Sequence, residues 1–266
     1  EAFDRGLIAP ARLPMPVISI GNLTAGGTGK TPAALSVVAA LRAQGWHPSI
    51  LSRGYRGIDG INDEALLAGD IPVLCDPDRH ASGMRALAAG ADCVVLDDGF
   101  QHRRLHRDLD IVILDATRPW GRNDGHPGHV LPLGYLREGR SSLRRAGLLW
   151  LTRTDLVSPL RLARLRAELS GLAPIVEECT ASAVLVRLSA VTDAIEAPEP
   201  AASWHGRRVV LVSGIGHPGG LEMLATALGF HVVASHRFPD HHHFLEADAS
   251  LIASVAAEAD ALLVMT

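Results

Sequence analysis

"GNLTAGGTGKTP", residues 21–32, sets the reading of the whole chain. Gly26, Gly27 and Gly29 crowd a run that ends in Lys30 and Thr31. A backbone folded around a phosphate needs positive φ angles and no Cβ in the way, and glycine supplies both. The common phosphate-loop pattern is G-x-x-x-x-G-K-[ST]. Gly29, Lys30 and Thr31 meet its last three positions, while Thr24 stands where the first glycine is expected. Thr24, Ala25, Gly26, Gly27, Thr28, Gly29, Lys30 and Thr31 are therefore the candidate nucleotide-binding run. Lys30 is the only lysine among the 25 basic residues of the chain. A compact ammonium between phosphates is a task arginine performs poorly.

The flanks agree. "PVISI" (16–20) reads as a buried strand, and "PAALSVVAALRAQG" (32–45) as a helix with Pro32 in its first turn and Gly45 past its end. Backbone N–H groups at the helix start would then face an anion, Lys30 would reach the β/γ-phosphates, and the Thr31 hydroxyl would touch Mg²⁺. Further apolar runs follow: "PSILS", "IPVLCD", "CVVLDD", "LDIVILD" and "GLLWLT", with an Ala-rich helix around 79–89. They are apolar throughout rather than alternating, as parallel strands covered on both faces are. The expected fold is α/β, a doubly wound, mostly parallel sheet of the P-loop NTPase kind. Residues 1–189 would form this core, 190–206 a linker rich in Ala, Pro and Glu, and 207–266 a smaller α/β unit.

Composition narrows the function. The 266 residues are 47% hydrophobic with net charge −4, so no global basic field points to nucleic acid. No apolar run is long enough to span a bilayer, and the chain is expected to be soluble. Cys75, Cys93 and Cys179 lie far apart and read as reduced, buried thiols. A Mg²⁺ site also needs a carboxylate at the end of a neighbouring strand. "CVVLDDG" offers Asp97 and Asp98, with Asp97 the first choice because it ends the apolar run. Guanine-specific relatives of this loop use Asn-Lys-x-Asp after a late strand; "LLWLTRTD" places Thr152 and Arg153 at the Asn-Lys positions, which favours ATP.

Several blocks occur together in order: "VISIGNLTAGGTGKTP", "ILSRGYRG", "NDEALL", "VLDDGFQHRRLHRDLDIVILDATRPWG", "VLPLGYLRE" and "FPDHHHF". Together they resemble the tetraacyldisaccharide 4′-kinase family of lipid A biosynthesis. The resemblance implies ATP-dependent phosphorylation of the 4′-hydroxyl of an acylated glucosamine disaccharide 1-phosphate, with ATP and Mg²⁺ as cofactors. It also implies work at the cytoplasmic face of the inner membrane, on an anionic surface. Carried over by motif, Lys30 and Thr31 bind nucleotide and metal, and Asp97 and Asp98 are the family's acidic pair. Asp63 and His241 match a catalytic pair, in which the carboxylate accepts the hydroxyl proton late and the histidine supports it. Arg53, Gln101, His102, Arg137 and Glu138 fall on motif positions expected to meet substrate.

Departures from the family pattern are specific. "NDEA" replaces its GDEP block, and Phe244 stands where tyrosine is common. Few residues precede the loop and the chain ends at "VMT", which reads as a truncated form, with acyl chains expected near the N-terminal segment. The arginine runs "RSSLRR" (140–145) and "RLARLR" (161–166) read as solvated helix faces or as contacts to phosphate and anionic lipid. The rival readings are a membrane-positioning or partitioning ATPase switch and a metal-delivery GTPase. Ala25, where the switches carry a lysine, and the missing Asn-Lys pair argue against them.

Overall fold

The computed structural model describes residues 3, 6–26, 28–53, 70–121, 128–177, 184–185, 188–189, 194–195, 199–200, 205–215, 218–239, 242 and 244–265. Chain packing separates two compact units, residues 1–152 with 159–178, and residues 153–158 with 179–266. Residues 179–189, read from sequence with the first unit, thus group with the second.

The first unit is built on a sheet of seven strands: β1 (Val17–Asn22), β2 (Pro48–Ser52), β3 (Val73–Cys75), β4 (Cys93–Leu96), β5 (Leu109–Asp115), β6 (Leu148–Thr152) and β7 (Ile175–Glu177). Their order is β3-β2-β4-β1-β5-β6-β7, and every pairing is parallel. Successive residues of each strand feed opposite faces. On one face, α1 (Lys30–Ala43) brings Ala33, Ala34 and Val38 against Ile20, Ile50, Val95, Ile111 and Ile113. On the other, Val17, Leu51, Val94 and Leu96 pack with Met15, Leu105 and Ala86 of α2 (Arg79–Ala88). Double coverage is why the strands carry no polar alternation.

Local chemistry sets the helix ends. Asp78 caps α2 by accepting the Ala81 N–H at 3.0 Å. Gly45 ends α1 with φ 85°, while the Gly45 N–H donates to Arg42 O and the Trp46 N–H to Leu41 O. That pair of bonds is the left-handed glycine closure of a helix C-terminus. Helix α3 (Pro159–Leu169) carries the 161–166 arginine run, and a 3₁₀ turn (Arg140–Arg145) carries the other.

In the second unit, two-residue strands β8 (Val184–Leu185), β9 (Leu188–Ser189), β10 (Ala194–Ile195) and β11 (Glu199–Pro200) form antiparallel pairs β9–β10 and β8–β11. The segment read as a linker therefore includes paired strands. A parallel sheet follows, with β12 (Arg208–Ser213) between β13 (His231–Arg237) and β14 (Leu262–Met265). Val209 and Leu211 pack with Ala225 of α4 (Pro218–Ala227), and Val210 and Val212 pack with Ile252 and Ala256 of α5 (Glu246–Glu258).

Cys93 lies buried in β4, where burial and then the neighbouring Asp92 carboxylate push its thiol up to about 12. It is inert as a nucleophile at neutral pH. Cys75 ends β3 exposed, because this short strand is only partly covered, contrary to the expectation of a buried thiol. Cys179 lies outside the described residues. Among the described residues, no helix is long and apolar enough to cross a membrane.

Candidate nucleotide and phosphoryl-transfer site

Parallel pairing puts the carboxyl ends of β1, β2, β4 and β5 on one edge of the sheet. The chain leaves β1 toward β2 on one side and later places β5 on the other, so β1 lies at the topological switch point, where open α/β sheets bind ligands. The Gly-rich run sits there, between β1 and α1. Gly26 has φ 104° and Gly29 φ 85°, conformations that side chains with a Cβ rarely adopt. Gly29 is also the residue before α1, and no side chain caps that helix start. Its first N–H groups therefore retain anion-binding capacity. Gly27 lies outside the described residues.

Thr24 takes the place of the missing glycine for a structural reason. It forms an isolated antiparallel bridge with Leu136 and is buried. An extended bridge suits a β-branched residue and requires no positive φ. The Ala25 N–H donates to Tyr135 O at 2.7 Å, and the Arg137 N–H donates to Leu23 O at 2.7 Å. A segment more than a hundred residues downstream thus braces the loop. Asn22 braces it from within, its amide donating to Thr24 O at 2.8 Å and to Thr28 Oγ1 at 2.7 Å. Sequence reasoning missed Asn22 and Tyr135; the one available signal was a polar residue ending an apolar strand immediately before the loop.

The two carboxylates after β4 have different partners. The Thr31 hydroxyl donates to Asp97 Oδ2 at 3.0 Å. Asp97 is 3% exposed, and its Oδ1 is buried without a hydrogen-bond partner. Burial pushes its carboxyl above the usual range, and the Thr31 hydroxyl and Lys30 ammonium do not offset that. Asp98 sits at φ 53°, a left-handed conformation that aspartate tolerates better than most residues. Arg137 Nη1 donates to both Asp98 oxygens at 2.7 Å, and Lys30 Nζ lies 3.7 Å from Oδ1. Burial alone would raise this carboxyl, but Lys30 and Arg137 together hold it below the usual range.

The following turn is fixed to its surroundings. Gly99 N–H donates to Ile20 O, and Gln101 Nε2 donates to Asn22 O at 3.0 Å. Burial, then the charges of Arg79, Arg107 and Arg104, lower the His102 imidazole, which favours its neutral form. Arg107 forms a buried pair with Asp110, and its Nη1 donates to His102 O at 2.8 Å. Glu138 accepts from Arg145 Nη2 at 3.1 and 2.8 Å, and the Arg145 guanidinium lies over the Phe100 ring.

The structure thus brings together Thr24, Thr28, Lys30, Thr31, Asp97, Asp98, Gln101 and Arg137. Arg53 follows β2 on the same edge of the sheet. Asp63 and His241 lie outside the described residues. In the second unit, neighbouring His242 stacks on Phe238, meets the Phe244 ring edge-on and pairs with Asp248 at 3.0 Å through Nε2.

The family model of tetraacyldisaccharide-1-P 4′-kinases matches residues 1–266. The tetraacyldisaccharide 4′-kinase of Anaeromyxobacter dehalogenans strain 2CP-C is 42% identical over 289 aligned positions, covering 99% of this chain and 74% of that protein. The protein of the same name in Syntrophus aciditrophicus is 36% identical, covering 100% of this chain and 77% of its own. The crystal structure of LpxK from Aquifex aeolicus in complex with ATP superposes with a TM-score of 0.63 at 29% identity, over 91% of this chain and 76% of that one. Matched over its whole length by the family model and 36–42% identical to these relatives, this chain belongs to the tetraacyldisaccharide-1-phosphate 4′-kinase family.

Proposed function

We propose that this chain transfers the γ-phosphoryl group of ATP to the 4′-hydroxyl of a tetraacyldisaccharide 1-phosphate. The observation that carries the reading is the convergence of Lys30, Thr31, Asp97, Asp98 and Arg137 around an uncapped helix start at the sheet's switch point. Phosphoryl transfer passes through a loose transition state, so the protein mainly positions groups and neutralises charge. Lys30 and the α1 N–H groups bind the phosphates. Without nucleotide, Asp98 holds Lys30 and Arg137 in partly exposed ion pairs, each worth about 0–1 kcal/mol. A triphosphate, with several charge-assisted bonds of about 1.5–3 kcal/mol each, outcompetes that hold. Arg137 then supplies a second cation beside Lys30 for charge on the transferred group.

The buried, unpartnered Asp97 Oδ1 beside the Thr31 hydroxyl fits a hard divalent cation. Mg²⁺ held by Thr31 and Asp97 supplies neutralisation of phosphate charge. Asp63 accepts the acceptor hydroxyl's proton and His241 supports it, an assignment carried by sequence motif. The acceptor is met at an anionic, cytoplasmic membrane surface. Exposed Leu7 (74%) and Ile8 (48%) are apolar positions in the N-terminal segment fit for contact with lipid.

The test is an ATP-turnover assay with purified chain, with and without the tetraacyldisaccharide 1-phosphate. Stoichiometric phosphate on the 4′-hydroxyl is expected. ATP hydrolysis indifferent to the lipid would instead favour a switch ATPase, and equal transfer to water-soluble sugars would overturn the lipid-kinase reading.

A further inference from the structure

Residues 130–133, "VLPL", form a tip whose large side chains face solvent: Val130 is 43% exposed, Leu131 51% and Leu133 69%. A single exposed leucine is ordinary. Several adjacent ones on a braced loop are not, because water penalises such a cluster and nothing local requires it. The tip is held by its own backbone. Leu133 and Gly134 N–H groups donate to Val130 O at 3.1 and 3.2 Å, Leu131 N–H to Leu136 O at 2.8 Å, and Leu136 N–H to His129 O at 3.0 Å. Leu136 at its base is fully buried and bridges to Thr24 of the phosphate loop. The next residue, Arg137, contacts Asp98 beside Lys30. The exposed tip is therefore anchored, through Leu136 at its base, to the segment that braces the phosphate loop, without itself making a backbone hydrogen bond to the described residues of that loop.

We infer that the 130–133 tip is the surface along which an acyl chain of the phosphoryl acceptor lies. This rests on the lipid-kinase reading above and specifies where that site meets hydrocarbon. The reacting hydroxyl must reach a phosphate held by Lys30, so chains attached to the same sugar leave the site within a ring's width of it. Leu133 is four residues from Arg137, which puts their Cα atoms within about 14 Å of each other. A membrane-length acyl chain reaches about 15 Å, half of a hydrocarbon core roughly 30 Å thick. The tip thus lies within one acyl chain's reach of the cation that pairs with Asp98. Its backbone bracing means the surface is present before the lipid arrives, so little ordering opposes binding.

The experiment compares the full chain with a Leu131→Ser/Leu133→Ser variant. Both side chains are exposed, so the variant should fold, which unchanged Mg-ATP affinity by calorimetry verifies. With detergent-dispersed tetraacyl acceptor, the variant is expected to raise the acceptor KM about 10–100-fold with kcat little changed, as loss of remote, uniform binding does. With an acceptor whose acyl chains are cut to two carbons, variant and parent should have equal kcat/KM. Binding to anionic vesicles lacking acceptor should be equal too. An unchanged KM with the tetraacyl acceptor overturns the inference. So does a defect confined to vesicle binding, which would make the tip a bilayer contact, or an equal loss on the short-chain acceptor, which would make it structural. A parent chain that never phosphorylates the tetraacyl acceptor overturns the functional reading itself, a result distinct from the other three.

Discussion

At the residue scale, Asp97 combines two opposed demands. Its carboxylate is buried with one oxygen unpartnered, which is costly without a cation. Because its folded pKa is raised, the associated stability is present below the unfolded value of about 4 and lost as pH rises through the folded value. Asp97→Asn removes that charge. In the absence of nucleotide at pH 7 it should stabilise the protein by about 1 kcal/mol or more, a rise of roughly 2–4 °C in Tm. The same variant should weaken Mg-ATP binding at least about tenfold. A lower Tm by calorimetry would show that the ionised carboxylate is satisfied in the free protein. Lys30→Ala should likewise lose charge-assisted bonds of about 1.5–3 kcal/mol each, read as Mg-ATP affinity in a folded variant. For Asp63 and His241, each change to Ala should lower kcat about 10²–10⁴-fold, and the double change should cost little more than the worse single one. Multiplicative losses in steady-state kinetics would mean that the two act independently.

At the element scale, the site depends on how closely β1 approaches the turn after β4. A Cβ on Gly21 would stand 2.5 Å from Phe100 Cβ and 2.8 Å from Phe100 N. The obstacle includes backbone, so the turn carrying Asp97 and Asp98 must shift. Gly21→Ala should cost about 1–3 kcal/mol of stability by overpacking and should weaken ATP binding as well. Urea unfolding with parallel ATP titration measures both, and a variant equal to the parent in each would show that the turn has room to move. Gly26 and Gly29 answer to the loop's own backbone angles; Gly21 answers to a neighbour 79 positions away. The 161–166 arginine run lies on α3, as its reading as a helix face anticipated. Within it, the Arg161 guanidinium donates to Thr117 O at 2.6 Å and Arg166 pairs with Glu177, which commits both to contacts inside the fold.

At the scale of the whole molecule, every described residue of the proposed nucleotide site belongs to the first compact unit. Mg-ATP at 100 times its Kd should raise the free energy of the cooperative unfolding that exposes this unit by about 2.7 kcal/mol. Hydrogen exchange should then slow at the amides of β1, α1 and β4, while β12 of the second unit exchanges as before. Equal protection of β12 would mean that both units open as one. The fold class and the glycine-rich turn between strand and helix were legible in the sequence because both rest on local rules. Strands buried on both faces must be apolar throughout, and a phosphate loop needs glycines followed by Lys30 and Thr31 at fixed spacing. Strand β7, with three residues, was too short to show any period. What pairs with Asp97 and Asp98 was legible only in part, since partners distant in sequence leave no local trace. Tertiary structure alone decided that Thr31 bonds Asp97 while Lys30 and Arg137 share Asp98. It alone brought Leu136 beside Thr24, so an extended bridge holds the position where glycine was expected. The physical reason is that such pairings join residues far apart in the chain through the order in which strands meet, which sequence periodicity does not encode.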